Sequence, residues 1–428
     1  DEITKQFLKA QCREEVWTPL AADEDAVYDE ELTIDLSTLV PLAACPHSPD
    51  NVKSVEEIGR LKIDQVCIGS CTNSSLFDML KVAAILKGKT ESKFKASIKD
   101  LFAKCKASGI NTVIVHVRSH GDAYYPSKYF PTSYYFTGKR GAAAKFDPLK
   151  IMVTEAHSLG LRIAAWINPY RGARINSNTN WNLTSTETTK KWLGTSKVFA
   201  TDSLYHFNPA NAEVQKLILN QISEILDNYQ IDGIHFDDYF YPSGCGDCDK
   251  EEYEQYKAGL KSGETALSLA DFRRKVVSEL VKSTYNLVHN KATKTGRKIT
   301  FGISPAGNLN NCMNGCYADV KLWGSTAGYV DYLAPQIYWS YDQGSLPYLK
   351  ALDIWTNTVT SKNVKLIIGL AAYRVDTNDY WKGGNILARQ ITDARKKERY
   401  AGFIMFRSDF YFGSVCNTER ANVEKLLK

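Results

Sequence analysis

The stretch Ile231–Pro242 reads IDGIHFDDYFYP, an apolar run that ends in two adjacent carboxylates and a cluster of aromatic rings. On a strand, side chains alternate between faces, so His235, Asp237 and Tyr239 fall on one side and Phe236 and Asp238 on the other. Carboxylates at the end of a buried strand are costly to desolvate without partners or a task. In a (β/α)8 barrel that end is where active sites are built. Two carboxyl groups can cleave a glycosidic bond, one as proton donor and the other as nucleophile or base. Asp237 is the first candidate, with Asp238 as alternative or partner. Because neighbours on a strand diverge, a second carboxylate is also sought elsewhere. Asp122 in RSHGDAYY and Asp342 in YWSYDQG are the candidates, each with the plain alternative of a loop-capping Asp.

Polar and aromatic residues gather at the other strand ends, the pattern expected of a barrel site that binds sugar. Arg118 and His120 follow one strand pattern; Asn168, Tyr170 and Arg171 follow the next. His235 and Tyr239 flank Asp237. Gln336, Tyr338 and Trp339 end a later strand, and Tyr373 and Arg407 end the last two. About half of this set is expected to touch ligand, the rest to pack. Arg118 or Arg407 has a second reading as the cation that pairs with Asp237 and Asp238 and keeps both ionised. Cys245 and Cys248 form C-x-x-C after the central strand, and Cys312 and Cys316 form C-x3-C after the following one. Four thiolates on two neighbouring loops suit a structural zinc. Two disulfides, or free thiols, fit the same spacing.

The elements that position these residues alternate with regularity. Helix Phe94–Ser108 leads to strand Ile110–Val117, and helix Asp147–Leu159 to strand Arg162–Asn168. Helix Ala210–Tyr229 leads to Ile231–Asp237, and helix Leu269–Asn290 to Lys298–Ser304. Then come Ala318–Trp323 and Asp331–Trp339, Leu346–Val359 and Lys365–Ala372, Asn385–Glu398 and Gly402–Arg407, and a last helix at Thr418–Leu427. Seven buried strands with intervening helices imply a parallel sheet. An α/β TIM barrel needs one strand more, and Gln65–Ser70 (QVCIGS) within residues 64–70 is its expected first strand. A small irregular segment, 1–63, precedes the barrel, 64–428.

The 428 residues are 44% hydrophobic and 24% charged, ordinary for a globular protein. A net charge of +5 gives no case for nucleic acid or an anionic membrane as partner. No run approaches the roughly 18 apolar residues of a membrane span. The chain opens on Asp1 and an acidic, polar stretch without a signal-peptide pattern, which leaves location open. The 24 Tyr, 17 Phe and 8 Trp suit sugar-stacking surfaces as well as core. Cys105 falls on an apolar helix face and reads as core. Oligomeric state is not legible.

Two resemblances cover the chain. TIDLSTLVPLAACPHSPDNV (Thr33–Val52) and DQVCIGSCTNSSLFDMLKVAAILKGK (Asp64–Lys89) resemble the aconitase and isopropylmalate dehydratase family of iron–sulfur hydro-lyases. The resemblance makes Cys71 the counterpart of a cluster ligand. The family's later C-x-x-C and long catalytic region have no counterpart here, so neither a cluster nor hydro-lyase activity is expected. From about Leu86 onward, GINTVIVHVRSHGDAYYPSKYFP, FDPLKIMVTEAHSLGLRIAAWINPYR, HFNPANAEV, DGIHFDDYFYP, FGISPAGN and YVDYLAPQIYW resemble the glycosyl-hydrolase-like 10 barrels of bacteria. That resemblance implies hydrolysis of bacterial glycan, peptidoglycan strands in particular, without a required cofactor, in the cell envelope or outside the cell. The seam falls near Leu86–Thr90, and the chain reads as a chimera. The other readings are a carbohydrate-binding barrel without turnover, an iron–sulfur hydro-lyase fragment fused to a barrel, and a fusion with no selected function.

Overall fold

The computed structural model describes residues 91–427, except 176–180 and 202, and short pieces before residue 59: 2–10, 14–19, 25–27, 29–30, 35, 40, 42–44 and 51–58. The chain separates into two compact units, Asp1–Ser75 and Leu76–Lys428. The expected first barrel strand Gln65–Ser70, the boundary at 63/64, the seam and Cys71 all lie outside the described residues.

The first unit contains a helix, Glu2–Ala10, and an antiparallel pair, β1 (Leu42–Ala44) and β2 (Val52–Ser54). The turn Val55–Ile58 starts on a reciprocal cap. The Ser54 N–H donates to the Glu57 carboxylate (2.8 Å), and the Glu57 N–H donates to Ser54 Oγ (3.2 Å).

The second unit is built on a curled parallel sheet. Strand β3 (Thr112–Arg118) is followed by β4 (Arg162–Ile167). A small antiparallel sheet comes next, β5 (Arg171–Arg174), β6 (Val198–Ala200) and β7 (Leu204–Phe207), in the order β5-β7-β6. The main sheet resumes with β8 (Gly233–Phe236), β9 (Thr300–Ile303), β10 (Tyr332–Leu333), β11 (Lys365–Ala371) and β12 (Tyr400–Phe406). Its order is β3-β4-β8-β9-β10-β11-β12, the sequential order of a (β/α)8 wall. Among the described residues, β3 and β12 have no strand on their outer sides.

The helices between strands start where the sequence supplies caps. Asp147 accepts from the Lys150 N–H with Pro148 at the first helical position, and Asn211 accepts from the Glu213 N–H. Ser268 and Asp319 cap Leu269–Thr295 and Val320–Ser325 in the same way. The helices bury Val214, Ile218 and Ile222, and Val277, Leu280 and Val281, against the outer faces of the strands. At the N-terminal face, Asp232 accepts from the Ile163 N–H (2.9 Å) and contacts His157 (3.0 Å). Asp331 accepts from the Phe301 N–H (2.7 Å). These carboxylates fix strand starts, the stability face of a barrel.

Two departures from the sequence expectation have clear causes. Asp331–Trp339 was expected as one strand, but β10 is only Tyr332–Leu333. Pro335 cannot donate to a ladder, and beyond it only Gln336 still bridges, to Ala306 and Gly369. The β5–β7 sheet was not anticipated, since strands of three or four residues carry too little alternation to be seen.

Inside the wall, strand pairing places His116, Trp166, His235 and Gly302 in one row. The glycine is required there. A Cβ on Gly302 would lie 2.1–2.3 Å from the Tyr332 ring, which spans its place and reaches His235 Nδ1 at 2.9 Å through its hydroxyl. Gly302→Ala is therefore expected to destabilise the protein by about 1–3 kcal/mol through overpacking. A urea midpoint equal to the parent's would contradict that packing.

Candidate active site

Asp237 follows the last residue of β8 and is only 8% exposed. Its Oδ1 accepts from Gln336 Nε2 (2.8 Å) and from the Asp238 backbone N–H (3.0 Å). Gln336 Nε2 is also held by the Ser304 carbonyl (3.0 Å), so the chain segment beyond β10 fixes the orientation of Asp237. The Asp237 and Asp238 carboxyls lie close enough for each to shift the other's ionisation. Regular strand alternation ends at Phe236. Burial pushes the Asp237 carboxyl well above the ordinary range, and the neighbouring Asp238 charge raises it further. Burial also raises Asp238. Such a pair holds a proton at a pH where an exposed Asp has lost it.

Asp237 lines a cavity of about 1260 Å³ that extends from the strand C-terminal ends down to Asp232 and Asp331 at the N-terminal face and along β3 and β12. Asp237, Gln336, Tyr239, Tyr338, Tyr373, Asn168, Arg171, His235 and Arg407 all line it, so most of the sequence-derived set converges. Tyr239 is 40% exposed and stacks over the Arg171 guanidinium at 3.5 Å. Tyr338 stacks on Phe406 (5.9 Å) and meets Tyr373 edge-on (5.7 Å). Arg407 pairs with Asp409 (3.0 Å) rather than with the Asp pair. His235 lies a layer lower, where burial holds its pKa down at about 3.

Other expected residues are used elsewhere. Asp122 is fully buried and accepts from the His120 N–H (2.9 Å), the Ser119 N–H (3.2 Å) and Ser119 Oγ (3.3 Å). Burial pushes its carboxyl up, but Arg140 and the Ser133 and His120 hydrogen bonds outweigh this and hold it low. It is a loop clamp and does not line the cavity. Arg118 is also fully buried; it donates to the Asn168 carbonyl and lies 4.4 Å from the Phe130 ring, so it pairs with neither member of the Asp pair. Tyr170 is core, packed edge-on to Phe240. Trp339 packs over Gly307, and Asp342 is exposed. Sequence reasoning missed His116 and Trp166, which stack at 4.0 Å in the cavity wall. Trp166 Nε1 donates to Asn168 Oδ1 (3.2 Å). Their face becomes readable only once the β3–β4 register is known.

The cysteines do not form the four-thiolate set. Cys245 and Cys248 are bonded to each other, and Cys312 and Cys316 are free thiols. Among the described residues, the group with metal-ligand proximity is Cys245, Cys248 and Asp249. Asp249 is already engaged by Arg273 Nη2 (2.6 Å), Arg273 Nε (2.9 Å) and Tyr241 Oη (2.9 Å). A thiol pair closed as a disulfide and a carboxylate held by Arg do not fit a zinc ion. Arg273 instead joins the two cysteine loops, reaching the Gly246 carbonyl (2.5 Å) and Tyr317 Oη (3.2 Å).

A sequential parallel wall with paired carboxyls and aromatic residues at its C-terminal face defines a glycoside-hydrolase-type barrel. The glycosyl hydrolase-like 10 family model matches residues 66–382, and the chain belongs to that family. It is 34% identical over 353 residues to the glycosyl hydrolase YngK of Bacillus subtilis, covering 76% of this chain and 66% of that protein. It is 32% identical over 335 residues to the glycosyl hydrolase DigH of Escherichia coli, covering 71% and 73%. The fold resembles the PgaB (BpsB) glycoside hydrolase domain of Bordetella bronchiseptica, with a TM-score of 0.52 at 13% identity, covering 79% of this chain and 94% of that one. A stretch of 93 residues, 22% of each chain, is 47% identical to the 3-isopropylmalate dehydratase large subunit of Clostridium botulinum. The aconitase-like resemblance is thus confined to a short fused fragment.

Proposed function

We propose that the protein hydrolyses glycosidic bonds of bacterial glycan, peptidoglycan strands being the substrate class. The closeness of the Asp237 and Asp238 carboxyls carries this reading. A buried carboxyl that keeps its proton is a ready acid for the glycosidic oxygen. Carboxyls on adjacent residues at one strand end do not flank a glycosidic bond as the members of a retaining pair (about 5–5.5 Å apart) or an inverting pair (about 6.5–9.5 Å apart) do. Asp238 therefore does not stand on the opposite face of the bond. It acts as a positioning residue that keeps Asp237 protonated. Asp237 gives its proton to the leaving oxygen, and the anomeric carbon takes hydroxide from water. The water's remaining proton returns to the carboxylate pair, and the site is restored.

Tyr239, Tyr338 and Tyr373 offer ring faces to sugar, while Asn168, Arg171 and Gln336 offer hydrogen bonds. No cofactor enters the scheme. The Cys245–Cys248 bond supports work in an oxidising compartment such as the cell envelope or the exterior. Purified peptidoglycan strands incubated with the protein are expected to yield shorter saccharides by mass spectrometry. Binding of the strands without product over long incubation would replace this reading with that of a non-catalytic carbohydrate-binding barrel.

A further inference from the structure

We infer that a second glycan subsite lies along β5, remote from the Asp pair and built on Tyr135, Trp181 and Arg174. The inference rests on the glycosidase reading and extends it to a strand of several sugars.

Arg171 opens β5 and Arg174 closes it, about 10 Å of extended chain apart. Residues three apart on a regular strand face opposite ways, but β5 carries a register shift between these two positions. Both guanidinium groups thereby come within electrostatic reach of His120. Arg171 stays beside Tyr239 and the Asp pair. Arg174 donates through Nε to His120 Nε2 (3.4 Å) and lies 5.8 Å from the Trp181 ring. Its Nη groups have no hydrogen-bond partner among the described residues.

The aromatic wall beside Arg174 is rigid from behind and open in front. Trp181 stacks on Tyr134 at 4.1 Å and meets Tyr135 edge-on at 4.9 Å. Trp181 and Tyr134 are buried, while Tyr135 is 51% exposed. The Tyr135 ring stands 6.3 Å from His120. A large aromatic ring half in water beside a guanidinium whose Nη groups have no partner among the described residues, on the strand that also carries Arg171 of the cavity wall, has the chemistry of a sugar platform. The ring takes the apolar face of a sugar, and Arg174 donates to its hydroxyls.

The test compares strand length. Size-fractionated peptidoglycan strands, from disaccharide to octasaccharide, are titrated by calorimetry against Asp237→Asn protein, which blocks turnover. The ratio of octasaccharide to disaccharide affinity is expected to fall roughly three- to tenfold on adding Tyr135→Ala. Tyr135→Phe is expected to restore the ratio, because the ring is kept. A ratio that is the same in all three proteins would overturn the subsite and leave the glycosidase reading intact. Failure of the Asp237→Asn protein to bind any strand would overturn both.

Discussion

Asp237→Asn is expected to lower glycan turnover by about 10²- to 10⁴-fold, the contribution of a positioned general acid. Asn keeps the volume and still accepts from Gln336 Nε2, so strand binding should survive. The same substitution should raise stability at neutral pH. The folded state raises the pKa of Asp237, so its contribution to stability is fully present below the unfolded value of about 3.9 and is lost as pH rises through the raised folded value. Asn carries no proton to lose, so the variant should melt higher than the parent near pH 7, and the difference should close in acid. Asp238→Asn gives a distinct signature. Without the neighbouring charge Asp237 ionises more readily, and the alkaline limb of the pH–rate profile moves to lower pH. Parent-like turnover in the Asp237 variant would remove Asp237 from the chemistry.

The second large effect belongs to Arg273 and Asp249. Both side chains are almost fully buried, and Arg273, on the helix Leu269–Thr295, holds Asp249 and Gly246 on the loop of Cys245 and Cys248 and Tyr317 beside Cys316. Removing either partner leaves a buried charge uncompensated, at a cost of about 3–5 kcal/mol. Arg273→Met and Asp249→Leu should each lose that much in urea denaturation. The double variant should recover most of it, since removing both charges also removes the desolvation penalty. Losses that simply add would show that the pair is not the origin of the effect.

The seven strands were legible because a parallel wall buried on both faces demands continuous apolar runs. Their ends were less so. β10 stops early at a proline, yet the same departure leaves Gln336 free to clamp Asp237. The closeness of the Asp237 and Asp238 carboxyls was not legible, because period-2 alternation holds only to Phe236. Asp122 looked available from its loop position, and only coordinates reveal three donors converging on it. The cysteine spacing admitted a metal, disulfides or free thiols; proximity separates the pairs, because no spacing rule says which loop a thiol faces.

The outer sides of β3 and β12 bear on how such a barrel can evolve. What they ask of a neighbour is an extended backbone with N–H and C=O groups in step, a requirement almost blind to side-chain identity. The groups proposed to do chemistry come from the end of β8 and the segment beyond β10, and the proposed ring faces from the segments after β8, β10 and β11 and from the loops between β3 and β8, none of them from ahead of β3. The first position of the wall is therefore the one where recombination can exchange sequence at least risk to the reaction. Selection there acts on length, pleat and the hiding of an edge from other chains. A family with this layout has an interchangeable part, and a junction with unrelated sequence ahead of β3 falls where that freedom is greatest.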